Sequence, residues 1–94
     1  MIDIKTSGNN EIQISGRFDA SQTEKADNVF DSIDNDCTID FTGLDYISSA
    51  GLGSLLKLHV KINKDGHKIT LKNLNKHVRE VFKYSKLDNV FIIE

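Results

Sequence analysis

Apolar and polar residues alternate at two places near the start of the chain. Ile2 and Ile4 are separated by Asp3, and Ile12 and Ile14 are framed by Glu11, Gln13 and Ser15. A period of two sends the isoleucines to one face of an extended segment and their neighbours to the other, which predicts two half-buried strands. Ser7-Gly8-Asn9-Asn10 between them has turn chemistry, so the pair reads as a hairpin. Gly16-Arg17 ends the second strand. Ser21-Gln22-Thr23-Glu24 then has the form of a capping box, with Asp19 as the alternative cap. Ala26, Val29, Phe30 and Ile33 follow at helical spacing, while Glu24, Asp27, Asp31 and Asp34 fall mostly on the opposite face.

The second half repeats the alternation of periods. Cys37-Thr38-Ile39-Asp40-Phe41 reads as a short strand, and Leu44-Asp45-Tyr46-Ile47 leads from it toward a second helix. In that helix Leu52, Leu55, Leu56, His59 and Ile62 form one stripe and Lys57, Lys61 and Lys64 the opposite one. Asp65-Gly66 stops it, because glycine is free to take positive φ. Ile69 and Leu71 alternate with Lys68, Thr70 and Lys72 in a further strand. Asn75 suits the cap of a third helix carrying Val78, Val81 and Phe82, and Val90-Phe91-Ile92-Ile93 reads as a last strand. The order ββαβαβαβ predicts a single α/β domain over residues 1–94, with a mixed sheet of four to five strands and amphipathic helices on it.

Composition narrows the functional classes. With 94 residues the chain has room for one core and none for a deep catalytic cleft. No apolar run approaches the roughly 20 residues of a membrane span, and the first residues lack the pattern of a secretory signal. Cys37 is the single cysteine, which excludes an internal disulfide; the reading is a cytoplasmic chain. Net charge is −2, which does not suggest a nucleic-acid binder. Charge is nonetheless uneven: residues 1–50 hold ten acidic and three basic side chains, and residues 51–94 hold four acidic and nine basic.

The informative segment runs from Leu44 to Leu56. A strand feeds a turn that opens a helix, and Ser48 and Ser49 stand where helical N–H groups lack partners. A serine there can serve as a cap. The same N–H groups and the positive helix end also favour an anion, so a phosphate ester would be tolerated and would add about −1.5 to −2 charges. Gly51 and Gly53 in the first turn allow another backbone to come close.

Tyr46-Ile47-Ser48-Ser49-Ala50-Gly51-Leu52 resembles the signature of the STAS domain, in the family of bacterial anti-sigma factor antagonists. Gly16-Arg17-Phe18-Asp19 resembles the family's Gly-x-hydrophobic-Asp, and Ile39-Asp40-Phe41, Val78-Arg79-Glu80-Val81-Phe82 and Phe91-Ile92-Ile93 resemble its central strand, closing helix and last strand. The resemblance implies a phosphoprotein of partner switching rather than an enzyme. By the same resemblance, the unmodified form is expected to bind an anti-sigma factor that is a serine kinase, freeing the sigma factor. Phosphorylation ends that binding, and a metal-dependent serine phosphatase restores it. Aligned on Gly51-Leu52, the family pattern Asp-Ser-Ser/Thr-Gly-Leu puts the phosphate on Ser49, with Ser48 the alternative, and has Ser48 and Ala50 as departures.

The expected docking surface comprises Asp19, Ser21, Glu24, Ser48, Ser49, Ala50, Gly51 and Leu52, with Asp40 supporting the loop by hydrogen bonding. The acidic first helix should lie near Ser49, so that Glu24, Asp27 and Asp31 meet a basic partner surface. The alternative role is a STAS module not switched by phosphate, in a lipid- or solute-transport complex or a sensory scaffold. The expected state is a monomer with no metal, cofactor, membrane or direct nucleic-acid partner. His59, His67 and His77 lack metal spacing, Cys37 reads as a small core residue, and the lysines at 57, 61, 64, 68, 72, 76, 83 and 86 read as a solvated face.

Overall fold

The computed structural model describes residues 2–8 and 10–94; Asn9 of the expected turn lies outside the described residues. Strands β1 (Ile2–Ser7) and β2 (Glu11–Phe18) form the expected antiparallel hairpin, with Ile4 opposite Ile14. Helix α1 (Thr23–Phe30) follows a 3-10 turn at Ala20–Gln22. The remaining elements are β3 (Cys37–Asp40), β4 (Leu44–Ile47), α2 (Ser49–Asn63), β5 (Ile69–Lys72), α3 (Lys76–Tyr84), a 3-10 turn at Leu87–Asn89 and β6 (Ile92–Ile93).

The sheet runs β1-β2-β3-β5-β6, and among the described residues the β1–β2 pair is antiparallel and the others parallel. Six strands stand where four to five were expected, because β3 and β4 share one lane. Both lie parallel to β2: β3 pairs with its first half through Gln13 and Asp40, and β4 with its second half through Arg17 and Tyr46. Between them the chain steps sideways. Asp40 accepts hydrogen bonds from Thr42 N, Thr42 Oγ1 and Asn73 Nδ2, and Gly43 takes φ +84, where its carbonyl receives Gly16 N at 2.9 Å. A side chain at position 43 would be strained by that positive φ and would press on Ser15.

All three helices cover the same face of the sheet. Ile12, Ile14, Phe18, Ile39, Phe41, Ile69 and Leu71 are buried in one cluster with Ala26 and Phe30 of α1, Leu55, Leu58 and Ile62 of α2, and Val78 and Phe82 of α3. Their strand neighbours Glu11, Gln13, Thr38, Asp40, Thr70 and Lys72 point the other way and are polar and at least partly exposed. Each large apolar side chain in the core contributes about 1.5–3 kcal/mol of transfer free energy. Phe82 joins the layers, with its ring 6.3 Å from Phe41 and edge-on to Phe91 at 5.7 Å.

Three local expectations shift. In α2 the buried stripe includes Leu58, while Leu56 and His59 are half-buried. Helix α1 stops at Phe30, so Ile33 enters the core from the loop beyond it. The last strand shortens to two residues because the chain turns at Leu87–Asn89 first. Other signals match. Asn75 caps α3 by accepting from Val78 N at 2.8 Å, Gly66 takes φ +81 after α2, and Cys37 is buried.

Candidate functional site

The end of β2 and the start of α2 meet at one corner. Ser48 N donates to Phe18 O at 2.9 Å, which extends the β2–β4 ladder by one rung. Ser48 itself is extended, with φ −94 and ψ 173, and is the N-cap of α2. Its hydroxyl accepts from Gly51 N at 3.2 Å and its carbonyl from Leu52 N at 2.9 Å. The cap therefore occupies one serine of the pair. Ser49, the first helical residue, is exposed, and among the described residues its hydroxyl makes no side-chain hydrogen bond. The corner thus presents one free hydroxyl at the positive end of a 15-residue helix.

Gly51 and Leu52 do not belong to the presented surface. Gly51 is buried, and a Cβ there would come within 2.8 Å of Phe18 O and 2.9 Å of Ile47 Cγ1. Its missing side chain is what lets α2 sit against the strand ends. Leu52 is 8% exposed and belongs to the core. Both position the serines from beneath. Ala50 is half-buried.

Asp19 follows directly on β2, and the Ala20–Gln22 turn behind it lies against α2, so Asp19 and Ser21 sit beside the serine corner as expected. The capping box does not form. Asp19 takes the cap instead, accepting from Ser21 N at 3.1 Å and Ser21 Oγ at 2.6 Å, while Gln22 precedes α1 with no side-chain cap. The hydrogen bond from the Ser21 hydroxyl is the main reason that Asp19's carboxyl stays below its ordinary 3.8. Asp40 lies elsewhere. Among the described residues its side-chain hydrogen bonds go to Thr42 and Asn73, so the loop it supports is the β3–β4 step rather than the Ser48–Ser49 turn.

The acidic face of α1 is narrower than its sequence implies. Asp27 turns toward α2 and pairs with Lys57 at 3.0 Å, leaving its side chain 26% exposed. Lys61 also reaches across, donating to the carbonyls of Phe30 and Asp31. The charge separation along the chain is thereby partly cancelled at the α1–α2 seam. Glu24 and Asp31 remain exposed. No group of His, Cys, Asp or Glu among the described residues is arranged to hold a metal. No helix among them is long and apolar enough to cross a membrane.

One feature of the corner had no clear signal in the sequence. Arg17 and Tyr46 are register partners in neighbouring strands, and the Arg17 guanidinium lies 4.3 Å from the centroid of the Tyr46 ring.

A family model described as Mlab, STAS domain matches residues 3–94. The chain belongs to the STAS-domain family. No curated protein matches it. Among solved structures, this STAS domain is similar to a Thermotoga maritima protein described as a candidate anti-sigma factor antagonist, with TM-score 0.80 at 18% identity over 98% of this chain and 84% of that one. It is also similar to the Bacillus cell fate determinant SpoIIAA in phosphorylated form, with TM-score 0.71, 17% identity and coverage of 100% and 91%. The unphosphorylated SpoIIAA structure, an anti-sigma factor antagonist, gives TM-score 0.72 at 15% identity, with coverage of 100% and 87%. At these identities the likeness is one of fold, and it extends over the whole STAS domain.

Proposed function

We propose that this STAS domain is an anti-sigma factor antagonist that binds an anti-sigma factor serine kinase through the Ser49 corner and so releases the sigma factor. The observation that carries this reading is the division of labour between the serines: Ser48 is bound up in the cap and Ser49 is exposed on the first turn of α2. In the proposed switch the kinase transfers the γ-phosphoryl group of ATP to Ser49 Oγ, the hydroxyl proton is lost and ADP leaves. A metal-dependent serine phosphatase hydrolyses the ester and restores the hydroxyl. The phosphate acts by desolvation. A docked surface around Ser49 cannot take in a doubly charged, strongly hydrated group without cations to pair it, at a cost of several kcal/mol. A penalty of about 3–4 kcal/mol weakens binding several hundred-fold with no change of fold. The SpoIIAA fold, solved with and without phosphate, supports the reading by analogy.

The test is incubation with the cognate kinase and ATP, followed by intact mass. One added phosphate, absent in Ser49→Ala, is the expected result; phosphate retained in Ser49→Ala would move the site to Ser48, and no phosphate at all would end the switch. As bait, Ser49→Ala should hold the partner and Ser49→Asp should release it.

A second reading is an unswitched STAS module in a transport complex or sensory scaffold. It is favoured by Ser48 and Ala50, which stand where the antagonist pattern has Asp and a second Ser/Thr, and by the Mlab description of the matching model. Equal partner binding by wild type, Ser49→Ala and Ser49→Asp would select it.

A further inference from the structure

Arg17 stands out among the residues around the corner. It is exposed, yet its guanidinium carbon lies over the Tyr46 ring at 4.3 Å from the centroid, and Arg17 alternates with the buried Phe18 and so faces away from the helices. Stacking uses the face of a guanidinium and leaves the N–H donors along its edge pointing outward. Among the described residues those donors have no hydrogen-bond or ion-pair partner within the chain. The nearest acidic neighbour in sequence is Asp19, whose carboxylate already holds Ser21. The Arg17 charge is felt by Asp19, but its donors have no direct partner among the described residues, and the register places it one residue before Phe18, whose carbonyl holds Ser48. Arg17 and Ser49 each lie one residue from the Ser48–Phe18 hydrogen bond that joins the end of β2 to the start of α2.

The chemistry of such a pair selects its ligand. A planar fork of donors matches a carboxylate in two parallel hydrogen bonds, and an Arg already held by an aromatic ring loses little freedom when it docks. Arg and Tyr are also the residue types that dominate binding energy at protein interfaces.

Resting on the docking role proposed above, we infer that Arg17, held by Tyr46, is a specificity-determining residue of the partner-binding surface and receives an Asp or Glu carboxylate of the anti-sigma factor. The surface therefore runs from Ser49 onto the open face of the sheet. This differs from the expectation of a basic partner facing α1, whose Asp27 is taken by Lys57.

The experiment uses the purified protein that Ser49→Ala retains and Ser49→Asp releases, with dissociation constants measured by calorimetry. Arg17→Ala should weaken binding roughly 30-fold, and Arg17→Lys, which keeps the charge and loses the fork, about tenfold. Tyr46→Leu should weaken it about fivefold. Urea midpoints for the same variants separate docking from folding. Reversing one acidic residue of the partner should restore binding to Arg17→Glu. Affinity of Arg17→Ala within about twofold of wild type would overturn the inference and leave the switch at Ser49 standing. Recovery of no Ser49-dependent protein would overturn both.

Discussion

Gly51 lies so close under Phe18 that one added methyl group would stand 2.8 Å from the Phe18 carbonyl oxygen. That oxygen already receives Ser48 N, so it cannot yield without disturbing the corner. Gly51→Ala should therefore destabilise the domain by about 1–3 kcal/mol despite alanine's better helix propensity. Gly53, one turn position further, faces open space, and Gly53→Ala should stabilise by up to about 1 kcal/mol. Urea unfolding of the two variants side by side checks both signs.

The two serines should separate by stability as well as by modification. Ser48→Ala removes the acceptor of Gly51 N and should cost about 1 kcal/mol. Ser49→Ala changes an exposed residue and should fall within about 0.5 kcal/mol of wild type. Equal losses in chemical denaturation would contradict the assignment of Ser48 as the cap.

The Lys57–Asp27 pair across the α1–α2 seam should add little. Lys57 is 71% exposed, so Lys57→Met should change stability by no more than about 1 kcal/mol, and the difference should shrink in 1 M salt. Thermal melts at two ionic strengths decide it.

Acid should loosen the β3–β4 step. Partial burial opposes ionisation of Asp40, but hydrogen bonds from Thr42 and Asn73 and the nearby charge of Lys72 outweigh it and hold the carboxyl below its ordinary 3.8. A carboxyl depressed in the folded state stabilises above its unfolded value, and that contribution is lost as pH falls through the folded value. Melting temperature should thus drop from about pH 5 to about pH 2, and Asp40→Asn should flatten part of that decline. An unchanged acid limb in the variant would show that Asp40 contributes nothing to it.

Cys37 should be inert in the native protein. Burial pushes its thiol up to about 11, so at pH 8 the thiolate fraction falls about a hundredfold relative to a thiol at the ordinary 9.0. Aromatic disulfide reagents should react at least about a hundredfold faster after unfolding in urea. Comparable rates would mean that the strand end opens readily.

Much of this architecture is local and therefore legible before folding. Alternation at Ile12 and Ile14 and at Ile69 and Leu71 fixes which side of each strand is buried, and Asn75 and Gly66 mark helix ends by their own chemistry. What escapes the sequence depends on residues brought together from afar. Leu44–Ile47 does not alternate simply, because the register slips between Gly16 and Arg17, and so its pairing as a separate strand is hidden. Asp27 looks solvent-facing until Lys57, 30 residues on, comes across to meet it. Ser21-Gln22-Thr23-Glu24 fits the capping pattern, yet the Ser21 hydroxyl bonds backward to Asp19, a choice that the pattern cannot express. At the corner, the two serines are visible in sequence, but which one is occupied follows only from the turn geometry. The stack of Arg17 on Tyr46 exists only once β2 and β4 are in register.

The rung between Ser48 and Phe18 has a kinetic corollary. A hydroxyl held one residue beyond a ladder's last rung has no loop to tidy before an encounter, so recognition begins from a finished template. Differences in grip among related visitors would then show in how long they stay rather than in how fast they arrive.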